Sequence, residues 1–282
     1  MKNWSDGYVH ANGIRIHYYR TGGEKPQVVL NHGAMDDGLC WTRVAKELEQ
    51  DYDVIMFDAR GHGLSDSGQG DYLSETRAED LAQAIKILGL DKPVVGGHSL
   101  GADVSMHLAA MYPEMPRAIF LKDPPIAPPG EPMFGGKAGE MGARAIRVMT
   151  WIMTLIKILP VFLGKLVAKK MMPLAPDDEI IPWIKSKKRA NKDFLRSMLN
   201  AANHPDPPFS LQVADKVTVP TLLIMGDREK GSIVSLEVAQ EMGKLIPDFQ
   251  VAHLRGANHD IRRSKFDEYM HAVRKFLDEA YQ

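Results

Sequence analysis

The stretch Lys92-Pro93-Val94-Val95-Gly96-Gly97-His98-Ser99-Leu100-Gly101-Ala102-Asp103 decides how the rest of the chain is read. Val94 and Val95 suit the end of a buried strand, Gly97 to Gly101 spells G-x-S-x-G, and Asp103 to Met111 has the makings of a helix. A serine at a sharp strand-to-helix turn takes a strained backbone conformation that raises its hydroxyl. The residues two before and two after it then crowd each other and must be small; both are glycine here. The first N–H groups of the following helix aim at the same point, where negative charge is held.

Upstream, Tyr8 to Arg20 alternates around Asn12-Gly13, which predicts two antiparallel edge strands joined by a type I′ turn. Gln27 to Asn31 and Val54 to Phe57 are short apolar strands, and Trp41 to Gln50 between them has helical spacing. The first strand leads into His32-Gly33-Ala34-Met35, the second into the glycine-rich loop from Asp58 to Asp66. Ser74 to Leu88 sets Ala78, Leu81, Ala82, Ile85 and Leu88 on one helical face, with Ser74 as its N-cap. Arg117 to Lys122 is a further strand, closed by Asp123-Pro124-Pro125. Strands alternating with helices at this spacing predict an α/β fold with a mostly parallel sheet covered on both faces.

Residues 124–216 break that rhythm. Pro and Gly crowd Pro124 to Gly136, a helix is predicted for Arg144 to Leu159, and two or more further helices for Val161 to Met172 and Asp178 to Asn200. The alternation resumes with a strand at Thr221 to Met225, a helix near Ser235 to Leu245, a strand at Gln250 to Leu254 and a last helix from Lys265 to Tyr281. The expected organisation is a core of residues 1–123 and 217–282 with a helical cap, 124–216, inserted between its halves. Seven of the 16 methionines fall in that insertion, and residues 137–200 carry 13 Lys and Arg against 5 Asp and Glu.

A serine nucleophile needs a base, and the base needs a group that fixes its tautomer. His259, in the small-residue loop after the last strand, is the base candidate. Asp227, after Thr221 to Met225, is the first candidate for the acid, with Asp123 and Glu229 as alternatives. The order Ser99, Asp227, His259 then has the sense expected of such a site. His98, His62 and Arg60 read as packing and bracing groups, and His32 as a hydrogen-bonding one. No short metal-ligand spacing occurs, so no metal and no cofactor are expected.

With these residues in hand, the sequence resembles the α/β-hydrolase superfamily, in its branch of cofactor-free esterases, lactonases, carbon–carbon bond hydrolases and perhydrolases. The likeness rests on His32-Gly33-Ala34, Asp58 to Ser65, Gly97 to Gly101, and the pair Asp227 and His259, and it spans roughly residues 8–123 and 217–281. It implies an α/β-hydrolase fold and an oxyanion hole made by the backbone N–H groups of Ala34 and Leu100. The expected activity is hydrolysis of an apolar ester or lactone through an acyl-enzyme, with Met35, Trp151 and Met153 lining the pocket. Carbon–carbon bond hydrolysis, a ligand sensor on the same fold, and a cap that adsorbs to lipid stay open. Epoxide hydrolases are disfavoured: they use an aspartate where Ser99 stands, and the cap tyrosines of related ones have no counterpart between Tyr112 and Tyr269.

A net charge of −1 with 44% hydrophobic residues gives no reason to expect nucleic acid as a partner. One cysteine, Cys40, excludes an internal disulfide, and the first residues lack the apolar core of a signal peptide, so a cytoplasmic location is expected. The apolar run from Val148 to Ala168 is broken by Lys157, Pro160 and Lys165, which argues against a membrane span.

Overall fold

A computed structural model describes residues 4–68, 72–126, 154–172, 177–194 and 211–282, together with residues 148, 151, 152, 175 and 197. Its centre is a sheet of eight strands: β1 Ser5–Ala11, β2 Ile14–Arg20, β3 Gln27–Asn31, β4 Asp53–Phe57, β5 Val94–His98, β6 Ala118–Lys122, β7 Thr221–Met225 and β8 Phe249–His253. They lie in the order β1-β2-β4-β3-β5-β6-β7-β8. β1 pairs antiparallel with β2 and β2 with β4, and every other neighbour is parallel. This is the α/β-hydrolase fold with its mostly parallel sheet. The turn between β1 and β2 has positive φ at both Asn12 (48°) and Gly13 (77°), as its sequence requires. Of the two hairpin strands only β1 is an edge, however; β2 lies inside the sheet because its far side pairs with β4.

Period-two alternation decides what each strand presents to each face. Val29, Ile55, Val95, Ile119 and Leu223 point to one side, where they meet helices α2 (Ser74–Ile87), α3 (Leu100–Met111) and, numbered in chain order after the two helices named below, α6 (Leu236–Leu245). Val28, Leu30, Val54, Val94, Phe120, Leu222 and Ile224 point to the other, against α1 (Thr42–Leu48) and the last helix, Phe266–Tyr281. Ser74 opens α2 from within the helix and does not cap it; its hydroxyl donates instead to Asp103 of α3.

Between β6 and β7 the described residues include helices α4 (Val161–Met171) and α5 (Asp177–Arg189). Within the stretch Asp178 to Asn200, α5 ends at Arg189 and residues 192–194 are helical again. Asn191 turns back to the core, its N–H donating to the Gly61 carbonyl at 2.9 Å. The linker predicted for Pro124 to Gly136 lies outside the described residues beyond Ile126, as does most of the helix predicted from Arg144.

The turn at Ser99 is packed tightly against backbone. A Cβ on Gly97 would stand 2.1 Å from the Gly101 carbonyl oxygen, and one on Gly101 would stand 2.3 Å from that of Asn31. Both obstacles are backbone, so neither can rotate away. Gly101→Ala should lower stability by roughly 3 kcal/mol or more, because α3 must lift off the end of β3. Urea unfolding checks this, and a midpoint equal to that of the unaltered chain would contradict it.

Candidate active site

Ser99 sits between β5 and α3 with φ 51° and ψ −120°, a conformation that side-chain-bearing residues seldom adopt. Its amide donates to the Lys122 carbonyl of the neighbouring strand at 2.9 Å, so the turn stays tied to the sheet. The loop after β3 passes close by: a Cβ on Gly33 would lie 3.4 Å from Ser99 Cβ and 3.0 Å from the His98 ring. That approach brings Ala34, next along the chain, to the same place as Leu100.

His259 lies in the loop after β8, with its ring 4.6 Å from the ring of His98, the residue before Ser99. Its Nδ1 is 2.6 Å from Oδ2 of Asp123, at the end of β6. Asp123 is fully buried and takes φ 45°. Its two oxygens accept from Ser232 Oγ (2.8 Å), from the Ile233 amide (2.9 and 3.1 Å) and from the Val234 amide (3.0 Å). Burial by itself would raise its pKa, but the bond from His259 and the two amides outweigh it and hold the carboxyl below the ordinary value. A carboxylate so placed fixes the histidine with Nδ1 protonated and Nε2 available as a base.

The sequence reading put Asp227 in this position, and the geometry corrects it. The Asp227 carboxylate lies 2.8 Å from Nε2 of His253 and accepts from the Gly256 amide at 2.6 Å, so it ties β8 and its loop to β7. Glu229 sits exposed in the 3₁₀ turn Arg228–Lys230. β6 adjoins β5, whereas β7 is one strand farther away. The signal for Asp123 was a carboxylate ending the strand beside the serine turn.

Of the expected pocket residues, Met35 is buried, in an apolar cluster with Leu100, Ile156, Trp183 and Phe194. Trp151 is 66% exposed and stands outside that cluster; an apolar stripe does not say which of its members faces inward. Met153 lies outside the described residues.

From residue 26 to residue 261 the chain matches the sequence profile of the α/β-hydrolase fold. The chain belongs to the α/β-hydrolase family. It is 29% identical over 276 residues to N-formylmaleamate deformylase of Pseudomonas putida, covering 96% of each chain. It is 25% identical over 264 residues to 2-(acetamidomethylene)succinate hydrolase of Mesorhizobium japonicum, covering 92% of this chain and 90% of that one. A crystal structure of E-2-(acetamidomethylene)succinate hydrolase superposes with a TM-score of 0.79 at 22% identity, over 98% of this chain and all (100%) of the other.

In this α/β hydrolase the loop after β3 is braced by two histidines whose tautomers follow from their partners. His32 Nε2 accepts from the Ala59 amide (3.0 Å), so its Nδ1 carries the proton, 2.7 Å from the Gly33 carbonyl. His62 Nε2 accepts from the Met35 amide (3.3 Å), and its Nδ1 donates to the Arg60 carbonyl at 2.9 Å. Burial lowers the pKa of both, and that of His98, whose charge Lys122 and His259 oppose as well. Lys122 is itself buried; burial and nearby Arg262 push it down to about 7, and its Nζ donates to the His259 carbonyl at 3.2 Å.

These histidines are neutral when folded and titrate near 6.5 when unfolded. Below that pH the unfolded chain binds the extra protons, so stability falls as pH drops, by about 1.4 kcal/mol per pH unit for each histidine. His62→Gln, which keeps an acceptor for the Met35 amide, should show a correspondingly shallower decline. Urea unfolding at pH 7, 6 and 5 of both forms measures the difference, and parallel curves would refute it.

Proposed function

We propose that this chain is a serine hydrolase that cleaves an acyl group from nitrogen in a small carboxylate-bearing compound, with Ser99, His259 and Asp123 as its triad. The observation that carries the triad is the buried Asp123 carboxylate 2.6 Å from His259 Nδ1, beside the strained Ser99 turn. His259 takes the Ser99 proton as the hydroxyl oxygen attacks the carbonyl carbon. The backbone N–H groups of Ala34 and Leu100 hold the oxyanion that forms. His259 then passes its proton to the leaving nitrogen, an acyl-enzyme results, and a water activated by the same histidine releases the acid. Asp123 stays ionised throughout and stabilises the imidazolium. The helices between β6 and β7 act as a cap over this site, Trp183 of α5 meeting Met35 in the apolar cluster between cap and core.

The choice of bond rests on the two full-length relatives, whose names place a formyl and an acetyl group on nitrogen in compounds that carry carboxylates. That likeness favours a bond other than the ester or lactone linkage expected from the sequence. Hydrolysis of a carbon–carbon bond in a vinylogous diketone uses the same three side chains, and one substrate panel separates the possibilities.

Turnover should be fastest on an N-acyl enamide acid, slower on a p-nitrophenyl ester and slowest on a vinylogous diketone. Preference for the diketone or the ester would sink the acyl–nitrogen assignment while leaving the triad untouched. Ser99→Ala should lower kcat by about 10⁴–10⁶-fold on every substrate. Asp123→Asn should cost on the order of 10³–10⁴-fold, whereas Asp227→Asn should stay within about threefold of the unaltered chain. The reverse ranking of the two aspartates would return the acid to Asp227.

A further inference from the structure

Helix α4, Val161–Met171, is built with its apolar side outward. Gly164 and Ala168 face the protein and are buried. A Cβ on Gly164 would come within 3.3 Å of the Ile184 side chain on α5, so the two helices pack closely on that face. Phe162 and Leu166, one turn apart and on the opposite side, are 69% and 67% exposed. Ile158, which ends the preceding helical segment, is 74% exposed. Its orientation is fixed: Lys188 Nζ donates to the carbonyls of Lys157 (3.0 Å) and Leu159 (2.6 Å) on either side.

At about 100° per residue, Lys165 and Lys169 fall on one side of the Phe162–Leu166 ridge and Lys170 on the other. The helix contains no Asp or Glu, in a chain whose net charge is −1. An outward apolar ridge with lysines at its margins is the pattern of a helix that lies in a lipid headgroup region. There the ridge enters the acyl boundary while the lysine stems reach up to phosphates. A second copy of the chain fits poorly, because it would set lysine margins against lysine margins.

We propose that α4 is a reversible docking surface for an anionic lipid bilayer, with Phe162 and Leu166 as the inserted residues and Lys165, Lys169 and Lys170 as the groups that select negative headgroups. One short helix with three lysines gives weak, salt-sensitive adsorption, favouring anionic over neutral vesicles by on the order of a hundredfold.

The test is cosedimentation of the full chain with phosphatidylcholine vesicles, with or without phosphatidylglycerol, at low and high salt. The unaltered chain should bind the phosphatidylglycerol vesicles and leave them as salt rises. Phe162→Ser combined with Leu166→Ser should abolish binding to both vesicle types, with thermal unfolding unchanged. Lys165→Gln, Lys169→Gln and Lys170→Gln together should remove only the anionic preference. The proposal is overturned if the unaltered chain does not sediment with the anionic vesicles, or if the serine variant binds as well as it does. It is equally overturned if light scattering finds a dimer that the serine variant dissociates, since a second copy then covers the ridge.

Discussion

A carboxylate with no surface in water sits at the end of β6, and the geometry of the site depends on keeping it charged. An isolated buried carboxylate would take up a proton and cease to orient a histidine. Asp123 avoids this because Ser232, Ile233 and Val234, in the loop after β7, turn a hydroxyl and two amides onto it. Those donors are the peptide groups of a loop anchored at both ends. Ser232 also accepts from the Gly226 amide at 3.1 Å, and Ser235 caps α6 by accepting from Val238. The sheet therefore does more than bring three side chains to one edge. Its seventh strand supplies the hydrogen bonds that let the sixth strand's aspartate stay ionised.

The same logic runs outward from His259. The next residue, Asp260, is 2.6 Å from Arg263, which is 2.7 Å from Glu179 on α5. Lys187, one face further along that helix, reaches Asp36 and the Met35 carbonyl in the loop after β3. These pairs are buried, and breaking one by removing a single partner typically costs about 3–5 kcal/mol. Asp36, held at about 2 by Lys187, Arg263 and Arg262 despite its burial, is the clearest sign that the pairs are ionised. Helix α5 is thus clamped to both loops that frame the serine, which places it with the core in mechanical terms. Between β6 and β7, the residues that fix the site and those that face solvent belong to different helices.

What the sequence made legible divides along the range of the forces involved. Asn12-Gly13 and the glycines at 97 and 101 act through their own backbone, so their consequences could be read directly. The two faces of the sheet followed from alternation in strands of five residues. Asp227 against Asp123 was different in kind. Both follow a strand, and both end hydrogen-bonded to a histidine, His253 in one case and His259 in the other. Which histidine each one meets is decided by how the loops after β6, β7 and β8 come together on the assembled sheet, and no local pattern carries that. Ser74 failed in the same way: a hydroxyl well placed to cap a helix was captured by Asp103, 29 residues away.

The insertion was least legible because its helices obey no single inward face. In α7 (Phe266–Tyr281), apolar periodicity and burial coincide: Tyr269, Met270, Val273, Phe276 and Leu277 all lie inside. In α4 they are opposed, with glycine and alanine inside and phenylalanine and leucine outside. A periodicity argument assumes that water is the only alternative to the core, and α4 breaks that assumption. Gly164 lets α4 pack closely on Ile184 of α5, so the small residues sit at the contact between the two helices. Helix α5, on which α4 packs, is itself tied to the core through Lys187 and Glu179, so the ion pairs that frame the site also anchor the helix that backs this outward apolar surface.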